Sequence, residues 1–270
     1  MKIKKILATM MATVAAVATF GLAGCGGKSS GSDKEKLYVY TNAGFAPYEY
    51  INDKGDVVGV DIDIMNYIGD QLGYDVVIND IEFNQILNEV QNDKMAVGAA
   101  GMTQKPDRDD VALATISYAT SVQYVIVPAG TFDADDLVDG KLDLSKLQEL
   151  SKKTIGVQEG TTGDFMVQDA QVEGEALEGF EKLDYTNAIV ASQDIGSQVG
   201  AVIIDKLPAQ AIADADSDLE CWELNAEPES YVLYFNKEAT DLVAQVNVIL
   251  AQMIADGTID QYTINHSSGN

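Results

Sequence analysis

From Leu37 onward, short apolar runs alternate with segments whose apolar residues recur every three or four positions. The first pattern marks buried strands and the second marks amphipathic helices. LYVYTNA, starting at Leu37, predicts a strand. VDIDIMNYIGDQLGY then places Ile62, Met65, Ile68 and Leu72 on one helical face, and Gly73 is its stop. DVVIND predicts a second strand, and FNQILNEVQNDK carries Phe83, Ile86, Leu87 and Val90 at helical spacing. MAVGAAG predicts a third strand with both faces buried. This rhythm is that of an α/β fold built on a mostly parallel sheet.

YATSVQYVIVPAG reads as an extended segment leading into a new region, and residues 131–150 read as an acidic, partly helical insertion. KTIGV, the loop QEGTTG, a helix from Asp164, VGAVIID and a helix near LPAQAIADA then repeat the rhythm. ESYVLYFNK predicts one further strand. The closing helix, DLVAQVNVILAQMIADGT, gathers Leu242, Val246, Ile249, Leu250, Met253 and Ile254 on one stripe, as ordinary core packing does. There is no repeat of solenoid period.

The N-terminus is of another kind. MKIKK is a positive segment, ILATMMATVAAVATF an apolar one, and LAGC ends it in small residues. LAGC resembles the lipobox of bacterial lipoproteins, which implies a signal peptide over 1–24 and lipid on Cys25. The other reading is an uncleaved anchor, since the uncharged run from Ile6 to Gly24 is just long enough to span. GGKSSGSDKEK follows as a flexible tether, 25–36. Both readings put the body outside the cytoplasm, at a membrane surface.

A length of 270 residues suits one large domain or two of ordinary size. The net charge of −26 repels phosphate backbones and excludes nucleic acid as a partner. With Cys25 lipidated, Cys221 has no internal partner, and beside Trp222 it reads as a small buried apolar residue. The one histidine, His266, lies in a polar tail, so a Ser-His or Cys-His pair would have to be built from that tail. No cofactor or metal is expected. DADSDLE, from Asp214, starts like a calcium loop but has Leu219 at the glycine turn and no acid at the twelfth position, so it reads as a solvated acidic loop. GVQEGTTG lacks the lysine of a phosphate loop.

In open α/β sheets, ligands bind beyond the carboxyl ends of the strands. Here those ends carry NAGFAPYEY, GMTQKPDR, QEGTTG and Asp205. Arg108 is the only arginine among 17 Lys and Arg, and a planar fork grips a carboxylate as lysine does not. Thr and Gly at two strand ends offer N–H groups and hydroxyls to the same anion. Asp205 would hold an ammonium, and aromatics would sandwich an apolar stem. Each piece alone also has an ordinary reading: GTTG as a loop, Asp205 as a helix cap, Phe45 and Phe83 as core. Taken together, a carboxylate holder plus an ammonium holder describes an α-amino acid.

The order GFAPYEY, GVDIDIMNYIGDQLG, AAGMTQKPDR, IGVQEGTTGD, VIIDKLPA and ADGTIDQY resembles the extracellular solute-binding proteins, family 3, of polar amino-acid ABC transporters. The resemblance implies a two-lobe, type II periplasmic-binding-protein fold, each lobe a mostly parallel sheet flanked by helices. Two hinge crossings are expected near Tyr118–Val122 and Glu227–Tyr231. The lobes would cover 37–120 with the return 230–270, and 121–229. It further implies that Arg108 pairs with the ligand carboxylate, aided by Thr103 and Thr162. Gly101 would accept the ammonium on its carbonyl and Asp205 would neutralise it, with Phe45 and Phe83 stacking on the side chain. Asn42 and Gln158 would read the side chain's polar end, and Met102 and Thr161 complete the set. Many relatives carry an acid where Asn42 stands, which points to a neutral polar ligand. The implied partners are an amino acid, a membrane permease and, through Cys25, the membrane surface; the implied state is a monomer.

One rival is an enzyme on the same fold, a cyclohexadienyl dehydratase-like protein, with Glu49, Glu82 or Glu159 as general acid.

Overall fold

The computed structural model describes residues 34–267. The expected signal peptide, Cys25 and most of the tether lie outside the described residues.

Two five-stranded sheets organise the body. In the first, Lys36–Thr41 lies between Asp75–Asp80 and Ala96–Gly98 and runs parallel to both. Tyr234–Phe235 and Leu113–Ala114 extend it through antiparallel pairings. In the second, Thr154–Gln158 lies between Glu181–Tyr185 and Ala201–Asp205, again parallel to both. Gln123–Pro128 and Leu219–Glu223 complete it through antiparallel pairings. Each sheet is therefore a parallel trio with an antiparallel flank. Parallel neighbours need a long crossover, whereas Gln123–Pro128 and Tyr234–Phe235 arrive directly from the other sheet. The chain passes between the sheets at Ala119–Ser121 and again at Glu229–Tyr231, and these two spans pair antiparallel with each other.

Eight helices cover the sheets among the described residues. They are α1 (Val60–Leu72), α2 (Ile86–Asn92), α3 (Pro106–Asp109), α4 (Thr162–Ala170), α5 (Ala188–Gln193), α6 (Lys206–Ala215), α7 (Thr240–Ala255) and α8 (Thr258–Ser267). In α1 the expected face is buried at Ile62, Met65 and Ile68, and left-handed Gly73 ends the helix by donating to the Gly69 carbonyl. Such a cap suits glycine, which has no Cβ to clash.

Several segments differ from the sequence pattern. Phe83 belongs to a 3₁₀ turn, Phe83–Gln85, so it leaves the α2 stripe that Ile86 and Val90 bury. Helix α4 starts at Thr162 rather than Asp164, because the Thr161 hydroxyl caps it by accepting from the Asp164 N–H. ESYVLYFNK is two strands in different sheets, broken where Leu233 exchanges hydrogen bonds with Thr115. In the segment expected as a solvated acidic loop, Asp216, Ser217 and Asp218 form an exposed turn, while Leu219 and Glu220 already belong to the strand Leu219–Glu223. Glu220 in that strand accepts the N–H groups of Gly130, Thr131 and Phe132. The polar tail is helical, and His266 meets Asp63 at 2.9 Å and the Tyr50 hydroxyl at 3.1 Å. On α7 the buried stripe is Leu242, Val243, Val246, Leu250 and Met253, while Ile254 faces out.

Candidate functional site

Between the carboxyl ends of the two parallel trios lies a cavity walled by residues of both sheets. The strand ends deliver its walls. From the first sheet come Asn42, Phe45, Phe83, Gly101, Thr103 and Arg108; from the second come Gln158, Thr161, Thr162 and Asp205. Ten of the eleven residues expected from the sequence are thus brought together.

Met102 is the exception and corrects the expectation. Successive side chains of an extended segment point to opposite faces, so a residue between Gly101 and Thr103 turns away from what they face. Met102 is fully buried in the core with Ile86, Val90 and Tyr234.

Arg108 sits on α3, which Pro106 starts by fixing the first helical φ. Its guanidinium is 4% exposed and donates through Nη1 to the Thr103 carbonyl at 2.8 Å and through Nη2 to the Gly160 carbonyl at 3.1 Å. The Phe83 ring stands 5.4 Å away. Burial draws the guanidinium down from its ordinary value, against the pull of nearby acids including Glu229 and Asp205. Arginine remains charged under any such shift.

Gly101 has φ +53, and a Cβ there would meet the Phe45 ring at 2.7 Å. Its N–H donates to Asp61 at 2.8 Å, and the Tyr118 hydroxyl donates to the same carboxylate at 2.7 Å. Asp61 is fully buried, and that burial pushes it up to about 6 against both hydrogen bonds.

Asp205 stands at the N-cap of α6 but makes no capping bond. Its oxygens instead accept from the Gln123 amide and from the Tyr231 hydroxyl, the latter at 2.8 Å. Burial, with Glu229 next, pushes its carboxyl well above the usual range. At the far end, Gln158 donates to Asn42 at 2.8 Å, and Asn42 donates to the Ile81 carbonyl at 2.7 Å.

Two lining residues with polar side chains were not among those expected to bind, Glu49 and Gln123. Glu49 is 1% exposed, and its Oε2 meets no hydrogen-bonding group among the described residues. Burial, then Asp61 and Asp205, push its carboxyl well above the usual range. Glu82 is exposed, and Glu159 receives the Asn84 amide at 3.0 Å in an exposed position. The site therefore holds a fixed cation, an acid near it on a hydrogen-bonded frame, and a second, unpaired acid.

The profile of the bacterial extracellular solute-binding proteins, family 3, matches residues 37–266. The arginine-binding extracellular protein ArtP of Bacillus subtilis (strain 168) is 26% identical over 260 residues, covering 93% of this chain and 94% of its own. A solved ancestral arginine-binding protein, bound to arginine, superposes with a TM-score of 0.75 at 26% identity, covering 87% of this chain and 99% of its own. An ancestral arginine-binding protein bound to glutamine gives 0.74 at 26% identity, with 86% and 98% covered. Two α/β lobes, two crossings and a walled cavity between the strand ends agree with that likeness: the chain belongs to the bacterial extracellular solute-binding proteins, family 3.

Proposed function

We propose that this protein captures an L-α-amino acid with a cationic side chain between its lobes and delivers it to a membrane permease of the ABC type. The observation that carries this reading is the pairing of Arg108 with two buried acids, Asp205 and Glu49, in one cavity. Arg108 meets the α-carboxylate, helped by Thr103 and by the Thr162 N–H. Asp205 and the Gly101 carbonyl take the ammonium. Phe45 and Phe83 flank the stem.

The sequence pointed to a neutral side chain because Asn42 replaces an acid. Glu49 supplies an acid elsewhere on the same cavity wall, and its unpaired Oε2 is a group that a cation would satisfy. The similarity to proteins named as arginine-binding supports the same choice. The protein acts as a monomeric binding protein rather than an enzyme. Its lobes are 37–120 with 230–270, and 121–229. Lipid on Cys25 holds it outside the cytoplasm.

Thermal denaturation of the body from residue 28 onward, against the L-amino acids, tests the reading. A ligand at a hundred times its dissociation constant adds roughly 2.7 kcal/mol. The expected result is a clear rise with L-arginine or L-lysine that vanishes in Arg108→Ala. No rise with any amino acid would overturn it.

A further inference from the structure

Gln123 opens the strand that follows the first crossing and is 2% exposed. Its amide nitrogen donates to the Asp205 carboxylate and, at 2.6 Å, to Glu229. An amide nitrogen has two hydrogens, so both are committed. Glu229, on the second crossing, accepts the Thr103 hydroxyl on its other oxygen at 2.5 Å. Asp205 accepts the Tyr231 hydroxyl on its other oxygen.

This arrangement fixes which way the amide faces. Turning it over would aim its oxygen at two carboxylates and leave both without a donor, so the pair acts as a clamp on the nitrogen. The amide oxygen is consequently directed elsewhere. It is buried and receives no hydrogen bond from any described residue, and Gln123 and its neighbour Gly163 both belong to the cavity wall. It lies next to Gly163, where a Cβ would come within 2.9 Å of it. An oxygen held in this way can only accept, and a buried acceptor without a donor is costly.

An ammonium has three N–H donors. Asp205 and the Gly101 carbonyl account for two in the reading above. We infer that Gln123 is a further ligand-binding residue, whose amide oxygen accepts the third N–H of the ligand's α-ammonium, and that Glu229 is the positioning residue that keeps that oxygen turned to the cavity. The inference rests on the proposed capture of an amino acid. It adds a selection rule, because a molecule with the same carboxylate and side chain but no α-ammonium leaves this oxygen unpaired.

The test compares L-arginine with 5-guanidinopentanoate, which lacks only the α-ammonium, the weaker ligand being measured by displacement. In the wild-type protein L-arginine is strongly preferred. Gln123→Met, similar in length but without the acceptor, is expected to shrink that preference about tenfold, the scale of one hydrogen bond to a charged group. Glu229→Gln is expected to shrink it by a smaller factor, since one of the two acceptors clamping the nitrogen is weakened. A merely structural lesion weakens both compounds alike and leaves their ratio unchanged. An unchanged ratio in Gln123→Met, as when the oxygen meets only water, overturns the inference while amino-acid capture stands. If Gln123→Met fails to fold, an unchanged ratio in Glu229→Gln overturns it instead. A wild-type protein that binds no amino acid removes the proposed function and this inference with it.

Discussion

Arg108 reaches from the first lobe to the second, donating to the Gly160 carbonyl at 3.1 Å while its other terminal nitrogen holds the Thr103 carbonyl at 2.8 Å. One side chain therefore frames the proposed carboxylate site and bridges the cleft. Lysine carries three donors on a single nitrogen and cannot hold two carbonyls apart while facing an anion. Arg108→Lys is expected to weaken ligand binding by about 2 kcal/mol, or some thirtyfold, in calorimetric titration. An unchanged affinity would remove Arg108 from the carboxylate role.

Glu49→Gln separates the cost of the empty site from its use. A buried acid without a partner opposes folding, and a neutral amide of the same shape does not carry that charge. The variant is expected to melt higher than wild type without ligand. It is also expected to bind L-arginine more weakly by about 1.5–3 kcal/mol, with a smaller change for L-glutamine. Melting curves with and without each ligand check both parts.

Gly101→Ala forces a Cβ into φ +53 and to 2.7 Å from the Phe45 ring. Phe45 has to shift or the backbone has to turn, and either moves the carbonyl proposed for the ammonium. The expected cost is about 2 kcal/mol. In a body of this size that lowers the melting midpoint by roughly 4–8 °C. A variant with wild-type stability and affinity would show that this backbone position is not constrained.

Asp61 gives a pH signature. Burial raises its carboxyl from 3.8 to about 6 in the folded protein. Between those values the folded state binds more protons than the unfolded one, so the Asp61 contribution to stability falls as pH rises through that window. Asp61→Asn has no such titration. Relative to it, wild type is expected to lose up to about 3 kcal/mol between pH 4 and 6, and little more above. Urea unfolding of both proteins across that range measures the difference. A difference that stays constant with pH would mean Asp61 is ionised in the fold at its ordinary value.

Much of this was legible in the chain. The α1 stripe and Gly73 are local signals, and Arg108 is conspicuous because lysine serves everywhere else. Asp205 follows from the rule that strand ends face the cleft. The misses have physical causes. Met102 was grouped with its neighbours, although the alternation of an extended segment turns it into the core. Gln123 is one polar residue in an apolar run, and no pattern tells whether such a side chain meets a carboxylate, a backbone or a cavity. Glu49 stands out in the sequence only as one of three candidate general acids of the rival enzyme, and nothing local tells that it lines a binding cavity. Glu181–Tyr185 gives no strand signal in the sequence because it is largely exposed and carries no apolar alternation.

The two spans between the sheets, Ala119–Ser121 and Glu229–Tyr231, are each three residues long and register against each other as Glu229 with Ser121, Ser230 with Thr120 and Tyr231 with Ala119. A pair of strands laced together resists sliding, because slippage breaks every rung at once, yet it bends and twists at little cost. Opening and closing thus reduce to a swing along one angular coordinate. In the capture proposed above, a small molecule touching both walls narrows that single angle against the stiffness of a six-residue ribbon.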